Sequence, residues 1–209
     1  MKHLAVGSLC LALVACGGES DASKKPSAPA AGGGAPAAAP TAPAPTPEAV
    51  LEAVSKAFAE ARAANDAPKL LEMTKAMMPT TEEMRKVLRA GPETDAFLEQ
   101  YRAERIRGDA NEAAREILKP KEAAQTVVKV HSATTEELAA YKEGSVAYAE
   151  FPGGMRRFAE KVAAPGRVWH TIEYLEPGKD AGMKFTTFTV VDGRLFFVVK
   201  PWRAIPDPK

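Results

Sequence analysis

His131 and His170, the two histidines beyond the first 15 residues, with two cysteines and scattered carboxylates are the groups of this chain best equipped for chemistry, and their spacing decides what each is fit for. His131 and His170 each lie in a β-rich run. Metal sites need several His, Cys or carboxylate ligands to converge, and neither histidine has a second one at HxH or HxxxH spacing. His170 and Glu173 fall on opposite faces of a strand. Both histidines therefore read as structural, and no metal site is expected. Met73, Met77 and Met78 are soft ligands in type, but they share a helical stripe with Leu70 and Leu71 and read as core filling. No serine stands in a nucleophile elbow. Gly153-Gly154 and Gly178 form no phosphate-binding loop. Glu136 and Glu137 are neighbours on a helix and do not face one another. The spacing thus points to no catalytic residue and no cofactor.

The aromatic residues near the C-terminus offer a different chemistry, that of an apolar binding surface. In residues 167–176, Val168, His170, Ile172 and Tyr174 share one face, and Trp169, Thr171, Glu173 and Leu175 the other. Phe185, Phe188, Phe196, Phe197 and Trp202 extend large apolar groups over both faces of the following strands. A sheet open on one side alternates apolar with polar. This one is apolar on both, so helices or a partner must cover the second face. A pocket for a small apolar ligand is the functional alternative. Trp169, His170, Phe188, Phe196 and Trp202 are the candidate binding face.

Cys16 closes a leader. Lys2 supplies a positive start, and Leu4 to Val14 is apolar apart from Gly7, Ser8 and Cys10. That is the layout of a secretory signal, shorter than the about 20 residues a spanning helix needs. Leu13-Val14-Ala15-Cys16 resembles the lipobox of bacterial lipoproteins. The resemblance implies cleavage before Cys16, acylation of its sulfur and new amino group, and anchoring in a membrane, because acyl burial is worth about 0.8 kcal/mol per methylene. Gly17 rather than Asp after the cysteine implies, by the same resemblance, the outer membrane facing the periplasm. Cys10 leaves with the leader, so the mature domain would hold no disulfide and no cysteine–metal site.

Three segments follow: a signal peptide at 1–15, a lipidated cysteine with a tether at 16–47, and one domain at 48–209. From Pro26 to Pro47 nearly every residue is Ala, Pro or Gly, too little apolar surface to offset ordering entropy. Such a tether spans about 90 Å extended and about 30 Å as a coil. The domain carries 25 Lys plus Arg and 25 Asp plus Glu. It lacks the basic excess that nucleic acid or an acidic membrane surface demands.

The domain must position these groups on helices first and strands last. Thr46-Pro47-Glu48 caps a helix whose stripe is Val50, Val54, Ala57, Phe58 and Ala61. Asp66-Ala67-Pro68 starts a second, ending at Pro79. Thr80 and Glu83 form a capping box for a third. Residues 92–119 read as helical with a break at Gly108 and a new cap at Asp109 and Glu112. Residues 125–131 are β-rich. Thr134 and Glu137 cap a short helix ending at Gly144, 146–151 read as a weak strand, and 155–163 as a helix. Strands follow at 167–176, 183–191 and 194–202, with Asp192-Gly193 as a type I′ hairpin turn.

The fold class is α+β, with N-terminal helices packed on a mostly antiparallel C-terminal sheet. The element order is similar to that of nuclear-transport-factor-2-like cone folds, which implies a curved sheet around a pocket. Residues 133–154 resemble a lipoprotein family without an assigned activity. The function expected from these readings is a lipid-anchored cell-envelope protein, non-enzymatic, acting as a binding or assembly module for an envelope partner. The alternatives are a carrier of a small apolar ligand and a cone-fold hydrolase or isomerase using His170 or His131.

Overall fold

The computed structural model describes residues 45–105 and 110–205. Cys16, most of the tether and the expected break at Gly108 with its cap at Asp109 lie outside the described residues.

Local signals account for most helix starts. α1 (Pro47–Ala63) begins where the Thr46 hydroxyl accepts the Ala49 N–H at 3.3 Å. α2 (Ala67–Met77) begins where Asp66 accepts the Lys69 N–H at 3.0 Å. The Thr80–Glu83 capping box starts α3 (Thr81–Met84), which tightens into a 3₁₀ turn at Arg85–Val87. α4 (Pro92–Arg105) and α5 (Ala110–Glu116) divide the expected long helical stretch. β1 (Val127–Thr134) runs into α6 (Thr135–Ala140) through the expected capping box of Thr134 and Glu137. α7 (Val146–Glu150) and α8 (Gly154–Lys161) then lead into β2 (Val168–Leu175), β3 (Met183–Val191) and β4 (Arg194–Phe197), with a 3₁₀ turn at Pro201–Ala204. The class is α+β, and the four strands form one antiparallel meander in the order β1-β2-β3-β4.

The sheet is covered twice. On one face Trp169, Ala133, Val191 and Phe196 pack with Phe97, Leu138, Phe151, Met155 and Phe158 of the helices around α4 and α6–α8. On the other, Ile172, Tyr174, Phe188, Leu195 and Phe197 pack with Leu51, Phe58, Leu70 and Met77 of α1 and α2 and with Ile117 and Leu118 beyond α5. Arg62 ties that second layer together. Its guanidinium donates to the carbonyls of Leu118, at 2.8 Å, and Ile117, and its carbon lies 5.5 Å from the centre of the Phe58 ring. The helices answer the question the two apolar faces posed. The cone itself is not confirmed: the likeness rests on helices preceding a sheet.

Several expected elements move. The expected strand at 146–151 is instead a helix over Val146–Glu150, with Phe151 extended beyond it. Ser145 accepts the Tyr148 N–H at 3.3 Å, and every other position of the segment offers only Ala147 or Ala149, too small to fill a strand face. The helix from Thr135 stops at Ala140, where Tyr141 takes φ 42° in place of the expected Gly144. The buried stripe of α1 is Leu51, Ser55, Phe58 and Ala61, with Val50 and Val54 at its margin. The last strand ends at Phe197 rather than Trp202, since Lys200 turns to φ 45° and Pro201 has no N–H to continue a ladder. Trp202 then lies on Gly154, where a Cβ would come 2.4 Å from the indole Cγ.

Trp169 and Trp202 therefore carry different weights. Trp169 has no exposed surface, and its indole N–H donates to Thr135 Oγ1 at 3.1 Å. Trp169→Ala is expected to cost about 3–5 kcal/mol. Trp202→Ala is expected to cost less, because its ring is only partly buried. Urea unfolding checks this as a larger midpoint drop for the Trp169 variant at unchanged slope.

Candidate functional site

One face of the sheet gathers charge at the end away from Trp169. His131 on β1 stands opposite Thr171, Lys129 opposite Glu173, and Glu173 on β2 opposite Lys184 on β3. His131 is thus a diagonal neighbour of Glu173, within reach across a strand pair. The fourth member comes from above the sheet. Glu150 is the last residue of α7, and its carbonyl accepts the Thr171 hydroxyl at 3.3 Å. Four elements therefore place His131, Glu150, Glu173 and Lys184 together.

The contacts are close. His131 Nε2 lies 2.8 Å from Glu173 Oε2 and 3.6 Å from Glu150 Oε2. Lys184 Nζ lies 2.7 Å from Glu150 Oε2 and 3.8 Å from Glu173 Oε1. Lys184 also donates to the Ala149 carbonyl at 3.5 Å. The second Glu173 oxygen accepts the Gly182 N–H at 2.8 Å. Only Gly fits there, since a Cβ would come 2.0 Å from the Tyr174 carbonyl oxygen. The Glu173 side chain is 3% exposed, whereas those of His131, Glu150 and Lys184 keep 20%, 22% and 30%. Burial pushes the Glu173 carboxyl up, but hydrogen bonds from His131 and Gly182 and the Lys184 charge outweigh it and hold the group below its ordinary value. Glu173 is thus an ionised floor under three groups that reach solvent. One ligand atom from each of His131, Glu150 and Glu173 falls within 4.8 Å of the others, a spacing that can hold a metal ion.

A second polar group lies on the opposite face. His170 Nδ1 is 2.8 Å from Ser132 Oγ, and Ser132 donates to Glu48 Oε1 at 3.2 Å. The serine hydroxyl has one proton, given to Glu48, so His170 Nδ1 must be the donor to Ser132. The residue types match a nucleophilic triad, but the order does not. A triad sets the histidine between serine and carboxylate so that it can accept the serine proton. Here the serine is in the middle and Nδ1 has no free lone pair for it. The chain instead joins the first turn of α1 to β1 and β2.

The five residues of the candidate binding face do not form one exposed surface. Trp169 and Phe196 are buried in one core cluster, with Trp202 packed against it. Phe188 is buried in the other, stacked on Phe197 at 4.5 Å between ring centres. His170 is buried with its bond to Ser132. Met77 is core, with Met73 and Met78 packed partly against it. Linear spacing did not signal Glu150, Glu173 and Lys184, because their partners sit on other elements. The signal present was Glu173 itself, a carboxylate on the Trp169 face of a strand apolar on both sides.

His170 makes stability depend on pH near neutrality. Burial disfavours its imidazolium and lowers its pKa below the ordinary 6.5, against a smaller upward pull from Glu48. The unfolded chain binds this proton more readily, so stability rises with pH across that window. It is full above 6.5 and declines as pH falls from there toward the folded-state value. Urea midpoints at about pH 7.5 and 5.5 should show a drop that shrinks in His170→Asn. An unchanged drop would assign the response to other groups. No family model, no curated protein and no solved structure matches this chain.

Proposed function

We propose that this chain is a lipid-anchored cell-envelope protein whose folded domain is a non-enzymatic binding or assembly module. The anchor reading rests on Leu13-Val14-Ala15-Cys16 at the end of an apolar leader and ahead of an Ala/Pro/Gly-rich stretch. The acylated Cys16 would tether the domain to a membrane, with Gly17 favouring the outer membrane and a periplasmic orientation. α1 starts at Pro47, the last residue of the tether, so the domain would be held by its first helix. Among the described residues no helix is long and apolar enough to cross a membrane.

The observation that carries the module reading is the double cover of the sheet. The aromatic groups that a carrier of small apolar ligands would use are consumed by the protein's own helices on both faces. Recognition is left to the outer, charged surface, which suits an envelope partner. The hydrolase reading through His170 loses support from the order Glu48–Ser132–His170.

Two measurements test this. In a Gram-negative host fed an alkyne-tagged palmitate, the chain should be cut and labelled, and Cys16→Ser should be neither. A Cys16→Ser chain that is still cut and membrane-bound would overturn the anchor. A fluorescent fatty acid titrated into the protein should show no saturable uptake; stoichiometric uptake would restore the carrier.

A further inference from the structure

We propose that His131, Glu150 and Glu173 form a binding site for a divalent first-row transition ion of zinc type, with the Lys184 ammonium as the competing cation. This stands independently of the lipid anchor.

The donor set is the first reason. One imidazole nitrogen and two carboxylates are the ligand types that zinc and its neighbours accept, and the ligand atoms already converge within 4.8 Å. Around a tetrahedral ion with bonds of about 2.0 Å the ligands stand about 3.3 Å apart. The His131–Glu173 and His131–Glu150 separations, 2.8 and 3.6 Å, bracket that value. The Glu150 and Glu173 ligand atoms lie within 4.8 Å of each other, so side-chain shifts close the set.

Charge is the second reason. Two carboxylates are in contact with one ammonium, that of Lys184, and Lys129 opposite Glu173 is exposed to solvent, so a neutral His131 leaves one carboxylate charge without a contacting cation. A divalent ion cancels both carboxylates. Glu150 Oε2 shows what a cation would gain: it is shut off from water, no hydrogen bond of good geometry reaches it, and Lys184 Nζ is its nearest charged neighbour at 2.7 Å. Lys184 is the one member with an easy way out. Its side chain is 30% exposed on the sheet surface, and a flexible ammonium can turn into water as the ion enters.

Support around the ligands is the third reason. Metal-binding groups work when a further layer of bonds orients them. Glu173 is held by the Gly182 N–H, at a position where any side chain would collide with the Tyr174 carbonyl. The Thr171 hydroxyl fixes the backbone of Glu150. Three protein ligands leave the fourth tetrahedral position open to water or to a donor from a bound molecule.

The test is zinc titration of the full chain carrying Cys10→Ser and Cys16→Ser, so that thiols do not contribute, followed by competition with a chromophoric chelator. One saturable site is expected. His131→Gln and Glu150→Gln should each weaken it at least about tenfold. Lys184→Met should tighten it by roughly threefold or more, because the competing charge is gone. A variant that merely misfolds cannot produce that gain. Absence of saturable binding up to about 1 mM zinc, or equal affinity in all the variants, would overturn the proposal.

Discussion

Strand β2 imposes the constraint on which the rest of the domain depends. Seven of its eight residues are buried, and it lies between β1 and β3 with large side chains pointing both ways. A strand buried on both faces cannot be satisfied by one helical layer. The chain answers with two: α1, α2 and the segment after α5 on the Ile172 side, and the helices around α4 and α6–α8 on the Trp169 side. Phe158 of α8 meets Trp169 edge-on at 5.1 Å between ring centres, which pins that layer to the sheet by aromatic contact, while Phe188 and Phe197 stack on each other across β3 and β4 beneath the other layer.

The same strand carries two groups that burial penalises, and it treats them differently. His170 remains neutral and donates a hydrogen bond from Nδ1 into a short chain ending at Glu48. Glu173 remains ionised because three neighbours compensate it. A buried carboxylate without partners would cost several kcal/mol. Retaining one in the floor of a solvent-reachable cluster is what sets that end of the sheet apart from the apolar end.

Backbone irregularity lies close to these groups. The register between β2 and β3 shifts at His170 and Thr171, so that Phe188 faces His170 while Thr186 faces Thr171. Thr187 is left over, at φ 78°, a conformation that a β-branched residue rarely takes. Its hydroxyl donates to the Val198 carbonyl, and the Val198 N–H returns to the Thr187 carbonyl at 3.0 Å. The bulge turns Phe188 toward the α1 layer while Lys184, further down β3, stays on the Glu173 face. One skipped residue therefore lets a single strand serve the apolar core on one side and the charged cluster on the other.

Local chemistry was legible in the sequence wherever a few neighbouring residues suffice to specify it. Thr46, Asp66, Thr80–Glu83 and Thr134–Glu137 cap helices because a side-chain oxygen and a free N–H three residues on need nothing else. Asp192-Gly193 turns the last hairpin with φ 51° and 75° for the same reason. The alternation in 167–176 and 183–191 was enough to place β2 and β3 and to require a second cover. Where a weak local pattern competed with a local cap, as at Val146–Glu150, the cap prevailed. What no spacing could reveal was the meeting of His131, Glu150, Glu173 and Lys184. Each is ordinary within its own element. Only the antiparallel register and the seating of α7 over Thr171 put their charges within contact distance, because strand pairing joins residues by position across the sheet and not by proximity along the chain.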